Sequence, residues 1–305
     1  MGGRRERALF WAVVALLVVG AGVGYRLLLG PEPGRASPAP GQASPVPVRL
    51  TVARTEGEVT VVRAGVRARI GPGDELRLDD AIETAPGGRV ALAGGSYEVT
   101  LEEGGRFDVQ EITAELSRFR LAAGLVSANV QDEAGRAVEI QASADAVART
   151  TGGEMAVARS GDVVAVGVQR GAAEFRAAGS SVQLREGQQS VAAEGKRPSA
   201  PAPLPASLLL KVSWPAERAT NQRRIVVTGR TQPGTIVVLG EERVVVQPDG
   251  RFTHVVVLRE GRQRLSARAH GVGGSAQVEG PAIVLDTRAP DARFDTRELW
   301  MAPRK

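Results

Sequence analysis

The chain has 305 residues, of which 43% are hydrophobic, 24% charged and only 4% aromatic, and it contains no cysteine. That length allows about two domains, and the missing cysteines exclude disulfides, thiolate metal sites and thiol catalysis. The net charge of +5 and the basic isoelectric point invite a nucleic-acid reading. However, residues 51–197 hold more acidic than basic side chains, and no dense basic stripe with interleaved aromatics occurs anywhere. Nucleic acid is therefore not an expected partner.

In chain order, residues 1–7 contain Arg4, Arg5 and Arg7 and are too few to fold. Residues 8–25 follow without a charge, then Arg26 and Leu27–Leu29. A helix over 8–29 would be about 33 Å long, enough for a hydrocarbon core of about 30 Å, with Arg26 snorkelling to the outer head groups. The preceding arginines place the N-terminus in the cytoplasm and the bulk of the chain in the periplasm. The competing reading is a signal peptide cleaved near Val19-Gly20-Ala21. The apolar run exceeds the usual signal core of about 7–15 residues, which favours a single-pass inner-membrane anchor.

Residues 30–50 hold six prolines, from Pro31 to Pro47, and read as a spacer. Residues 51–197 read as strand after strand. Val59 and Val61 alternate along one strand, as do Tyr97, Val99 and Leu101, then Val138 and Ile140, then Val164, Val166 and Val168. Turn signals separate these runs at Gly71-Pro72-Gly73-Asp74, Pro86-Gly87-Gly88, Gly94-Gly95, Gly104-Gly105, Gly152-Gly153 and Ser160-Gly161-Asp162. The one expected helical turn lies near Glu111–Arg118. A second Pro-rich linker spans 198–210. Residues 211–287 form a smaller β unit, with turns at Gln232-Pro233-Gly234 and Pro248-Asp249-Gly250 and strands including Ile225–Thr228, Thr235–Leu239 and Gln263–Ala269. Residues 288–305 read as a C-terminal tail, or as the start of a further neighbour. The expected fold class is all-β, a sandwich or roll followed by a second sandwich, behind one membrane helix.

The first β region resembles the FecR domain family. Glu56-Gly57-Glu58-Val59 resembles its opening strand, and Gly71–Leu76 followed by Asp80-Ala81-Ile82-Glu83-Thr84 its "G-x-x-L … D-x-I-x-T" stretch. Gly88-Arg89-Val90-Ala91-Leu92 with Gly95-Ser96, Leu121–Val126, Ala156-Val157 with Val164, Val166 and Gly171, and Leu184–Gln188 resemble four further motifs in the family's order. Gly152-Gly153-Glu154-Met155 departs from the family's "G-T-x-F". The second region is similar to bacterial Ig-like modules through Val227–Gly234, Asp249-Gly250-Arg251-Phe252, Leu258–Gly261 and Asp286–Pro290. The named FecR regulators couple an outer-membrane transporter to a cytoplasmic sigma factor through a folded cytoplasmic domain. Met1–Arg7 is not such a domain, so the resemblance implies the periplasmic half without that output. The expected function is a non-catalytic envelope scaffold that binds an envelope protein or cell-wall polymer. The alternative is signalling to a sigma factor through a separate partner.

No catalytic, cofactor-binding or metal-ligating residue is expected. His254 and His270 are sixteen residues apart with no carboxylate pattern around them and read as surface or strand-edge imidazoles. Asp79-Asp80, Glu102-Glu103 and Glu241-Glu242 read as solvated turns, because neighbouring strand residues point to opposite faces. Asp249-Gly250 lacks the repeated acidic spacing of a calcium loop. Arg223-Arg224 and Arg259, Arg262, Arg264 and Arg268 read as a solvated basic face, or as a meeting point for an anionic polymer, lipid head groups or an acidic partner. Open sheet edges are the expected recognition device, with no particular strand singled out. The oligomeric state is left open.

Overall fold

The computed structural model describes residues 49–132 and 136–288, all within one compact unit, Pro47–Lys305. The predicted anchor 8–29, the spacer up to residue 48 and the tail beyond residue 288 lie outside the described residues. Every regular element described is a strand, and no helix among the described residues is long and apolar enough to cross a membrane.

The first strands are β1 (Leu50–Glu56), β2 (Val59–Arg63), β3 (Val66–Arg69), β4 (Glu75–Leu76), β5 (Ala81–Thr84), β6 (Arg89–Ala93), β7 (Tyr97–Leu101) and β8 (Arg106–Ile112). Next come β9 (Leu116–Val130), β10 (Ala137–Gln141), β11 (Val147–Thr150), β12 (Gly153–Ser160), β13 (Val163–Ala177), β14 (Ser180–Arg185), β15 (Gln188–Ala193) and β16 (Ala202–Pro203). They form two pleated layers, β4-β1-β6-β7-β9-β12-β13-β15-β16 and β3-β2-β5-β8-β9-β10-β11-β13-β14. The long strands β9 and β13 belong to both layers. β9 pairs with β8 up to Ala123 and with β12 from Gly124 onward. β13 pairs with β12 up to Gly171 and with β14 from Ala172 onward. Strands that bend in this way make the corners of a sandwich.

Glycine makes those bends. Gly124 has φ +106° and Gly171 φ +80°, conformations that side-chain-bearing residues rarely adopt. A Cβ on Gly124 would stand 2.5 Å from Gly105 Cα, and one on Gly171 would stand 2.9 Å from the Gly152 carbonyl oxygen.

Between the layers lies one apolar core, mostly Val, Leu, Ile and Ala, as the scarcity of aromatics requires. Phe119 sits at its centre, edge-on to Phe107 at 5.4 Å and to Tyr97 at 6.2 Å. The alternation expected at Val59/Val61, Tyr97/Val99/Leu101 and Val138/Ile140 points these side chains inward. The helical turn expected near Glu111–Arg118 is instead a hairpin. Phe107 and Val109 alternate into the core on β8, as do Phe119 and Leu121 on β9. Between the strands, the Leu116 N–H donates to Thr113 Oγ1 and closes the turn. Period-two burial outweighs the local helix signal.

The remaining strands are β17 (Leu210–Ser213), β18 (Ala219–Thr220), β19 (Arg224–Thr231), β20 (Ile236–Leu239), β21 (Glu242–Val244), β22 (Arg251–Val257), β23 (Gly261–Gly271) and β24 (Gly274–Leu285). They make a three-stranded sheet, β17-β19-β22, and a five-stranded sheet, β18-β24-β23-β20-β21. The two sheets enclose a second core that includes Val227, Phe252, Ala267 and Ile283. The turn at Gly234 carries the chain from one sheet to the other rather than closing a hairpin, because β19 and β20 lie in different sheets.

A third apolar layer joins the two halves: Leu125, Ala156, Ala158 and Ala165 from the first, Ile236 and Val272 from the second. It explains why both faces of β12 and of the first half of β13 are buried. The connecting segment joins in, with β16 pairing with β15 and Leu204 packing on the layer. Gly167 leaves room for Leu204 and Val272, each 2.9 Å from where its Cβ would be.

Candidate interaction surfaces

Polar groups reinforce the junction between the halves. Glu103 stands in the turn between β7 and β8. On β23, Leu265, Ala267 and Ala269 point into the second core, so Arg268 and His270 point the other way. That direction leads to Glu103. Arg268 Nε and Nη2 donate to the two carboxylate oxygens at 2.7 and 2.8 Å, a bidentate pair. His270 Nε2 lies 2.7 Å from Oε1, and the Gly87 N–H donates to Oε2 at 2.6 Å. The carboxylate is only 6% exposed. Burial by itself would raise its pKa, but the hydrogen bonds from His270, Arg268 and Gly87, with the Arg268 charge, hold it well below the usual carboxylate range. Three further bonds cross the junction: Arg243 Nη1 to Gly104 O at 2.8 Å, Gln169 Nε2 to Val272 O at 2.7 Å, and Val246 N to Ser160 Oγ at 3.3 Å.

This corrects the reading of Glu102-Glu103 as a solvated turn. Glu102 is partly exposed and faces Arg89 at 3.1 Å, but Glu103 is buried because the second half covers it. His270 is likewise not a simple strand-edge imidazole. Asp79-Asp80 needs the same correction. Asp79 is exposed at φ +65°, whereas Asp80 is 1% exposed. Asp80 accepts two bonds from Arg63 at 2.7 Å and the Arg77 N–H at 2.8 Å. Burial opposes its ionisation, yet Arg63 and the Arg77 N–H keep its pKa below the ordinary value.

The other candidates separate. Glu242 meets His254 at 2.7 Å and Glu241 meets Arg259 at 3.4 Å. Asp249 accepts the Arg251 N–H at 2.9 Å, a local turn bond. Of the arginines, Arg259, Arg264 and Arg268 have carboxylate partners, on Glu241, Glu279 and Glu103. No group of three or more His, Asp or Glu side chains is arranged to hold a metal ion among the described residues.

A surface not singled out from the sequence is the outer face of β17-β19-β22. Its side chains stand in cross-strand rows. Lys211 is opposite Arg230, which is opposite Arg251. Ser213, Thr228 and Thr253 form the next row, then Val226 opposite Val255, then Arg224 opposite Val257. All of these are exposed, the valines by 47–60%. The three strands carry no Asp or Glu. The consecutive valines 255–257 were the available signal, since they put apolar groups on both faces of one strand.

No family model matches the chain, and no curated protein does. Two crystal structures of a protein assigned as an anti-sigma factor, from Parabacteroides distasonis, are similar in part, each with a TM-score of 0.36. Identity is 17% and 18%, and the likeness covers 40% of this chain and 59% of the other. The chain thus spans about three-fifths of that protein's length, and no residue role transfers with the likeness.

Proposed function

We infer that the chain is a non-catalytic binding and scaffold protein of the bacterial envelope, held to the inner membrane by residues 8–29 and projecting a FecR-like module and an Ig-like module into the periplasm. The FecR reading rests on the ordered motifs between Glu56 and Gln188. The Ig-like reading has further support in the strand order, β17-β19-β22 facing β18-β24-β23-β20-β21, with the first edge split between the two sheets.

The observation that carries the scaffold reading is the junction. A buried charge knot on Glu103, beside a shared apolar layer, makes one rigid arm from two sandwiches. A rigid arm presents recognition surfaces at a fixed distance and orientation, and so reduces the ordering cost of binding. The test is in-cell crosslinking and pull-down of the full chain beside a version lacking residues 1–30. Recovery of envelope proteins or wall polymer through residues 51–287 supports the reading. Recovery of a sigma factor or its membrane regulator overturns it in favour of signalling through a partner.

A further inference from the structure

We propose that the edge strand β22 accepts an extended segment of a partner protein, paired antiparallel along Thr253–Val257, with β-branched residues opposite Val257 and Val255 and, beyond Thr253, an acidic side chain that reaches the Arg251 guanidinium. The proposal rests on the binding-module reading above and names its site.

An open edge is normally kept short or protected. β4, β16 and β18 have two residues each, and β16 ends on Pro203. β21 has three, β3 four including Arg67 and Arg69, and β17 four with Lys211. β14 has six and exposes Ser181, Gln183 and Arg185. β22 has seven residues, no proline, no lysine and no register shift against β19. No strand pairs with its far side among the described residues. The segment leading into it covers only its first residue: the Gln247 N–H donates to Arg251 O at 2.8 Å and the Arg251 N–H to Asp249 Oδ1, while Val246 turns to Ser160 of the other half. The Leu258 N–H donates to Arg223 O, which sets the backbone of Phe252, His254 and Val256 towards β19. The N–H and C=O groups of Thr253, Val255 and Val257 therefore point outward.

The face beside this edge defines what would pair with it. Three of the eight large apolar residues exposed among the described residues are Val226, Val255 and Val257, contiguous by register. An added strand with β-branched residues at the matching positions would extend that patch. Lys211, Arg230 and Arg251 put three like charges directly opposite one another, a destabilising arrangement. Only Arg251 has a carboxylate near it, Asp249 at 3.5 Å. An incoming Asp or Glu whose carboxylate reaches the exposed Arg251 guanidinium would complete the row. A second copy fits poorly: antiparallel pairing of two β22 strands about His254 would set Arg251 against Val257 and bring together two sheets with no acidic side chain on their strands.

The test is fluorescence-anisotropy titration of the full chain in detergent with the labelled peptide Val-Ser-Val-Ser-Thr-Ser-Glu and its Lys-ended counterpart. The Glu peptide should bind more tightly, by about tenfold or more. Val255→Pro removes an outward N–H and no bond to β19, and should abolish binding, with thermal unfolding confirming the fold. Arg251→Glu should reverse the preference, an outcome a misfolded variant would not give. Equal binding of both peptides, or binding insensitive to Val255→Pro, overturns the proposal. So does dimerisation lost in the Val255→Pro variant, or attachment to anionic vesicles unaffected by it. If Val255→Pro leaves envelope-partner capture intact in the pull-down, this site is wrong and the scaffold reading stands; if the wild-type chain captures nothing, the scaffold reading itself fails.

Discussion

Glu103 carries a charge where burial disfavours one, and three donors compensate it. Glu103→Gln leaves Arg268 and His270 without their carboxylate. With Arg268 still 28% exposed, the expected loss is about 1–3 kcal/mol, read as a lower urea midpoint at unchanged slope. The pH dependence follows in sign. The folded-state pKa of Glu103 lies below its ordinary 4.5, so its contribution is complete above that pH and is lost as pH falls beneath it. The stability gap between wild type and Glu103→Gln should therefore narrow on acidification below about pH 4.5; a gap that stays constant there would contradict this account. Asp80→Asn should cost about 1–3 kcal/mol, since it weakens the Arg63 pair at a buried site.

At the level of the strand, the bends in β9 and β13 decide whether two layers can close on one core. Gly124→Ala combines a left-handed φ with a backbone clash at Gly105 and should cost roughly 3 kcal/mol or more. Gly187→Ala also has a positive φ, +73°, but its Cβ would meet open space, so about 1 kcal/mol is expected. Thermal denaturation of both variants separates the two costs. Equal destabilisation would mean that the Gly105 contact does not constrain the bend.

Across the whole molecule, the shared layer at Val272 couples the two sandwiches. They should unfold together, in one calorimetric transition with matching van't Hoff and calorimetric enthalpies. Val272→Asp puts a charge among Leu125, Ala156, Ala165 and Ile236 and should split that transition in two. Two transitions already present in the wild type would show the halves to be independent, and the rigid-arm argument would fail with them.

The alternation of Val59/Val61, Tyr97/Val99/Leu101 and Val138/Ile140 determined by itself that the described chain is all-β, because a period of two leaves one apolar face to bury. Gly-rich turns located many of the strand boundaries for a similarly local reason: a positive φ is written in the residue type. The environments of Glu103 and His270 were not legible, since each depends on a partner far away in the chain; Glu103 and Arg268 are 165 residues apart. That of Asp80 depends on the pairing of β2 with β5, which sets Arg63 beside it. The same holds for the cation row Lys211–Arg230–Arg251, which exists only once register aligns three strands. Sequence fixes which face of a strand is apolar; only tertiary structure decides what lies against that face, and hence which charges are buried and which edges stay open.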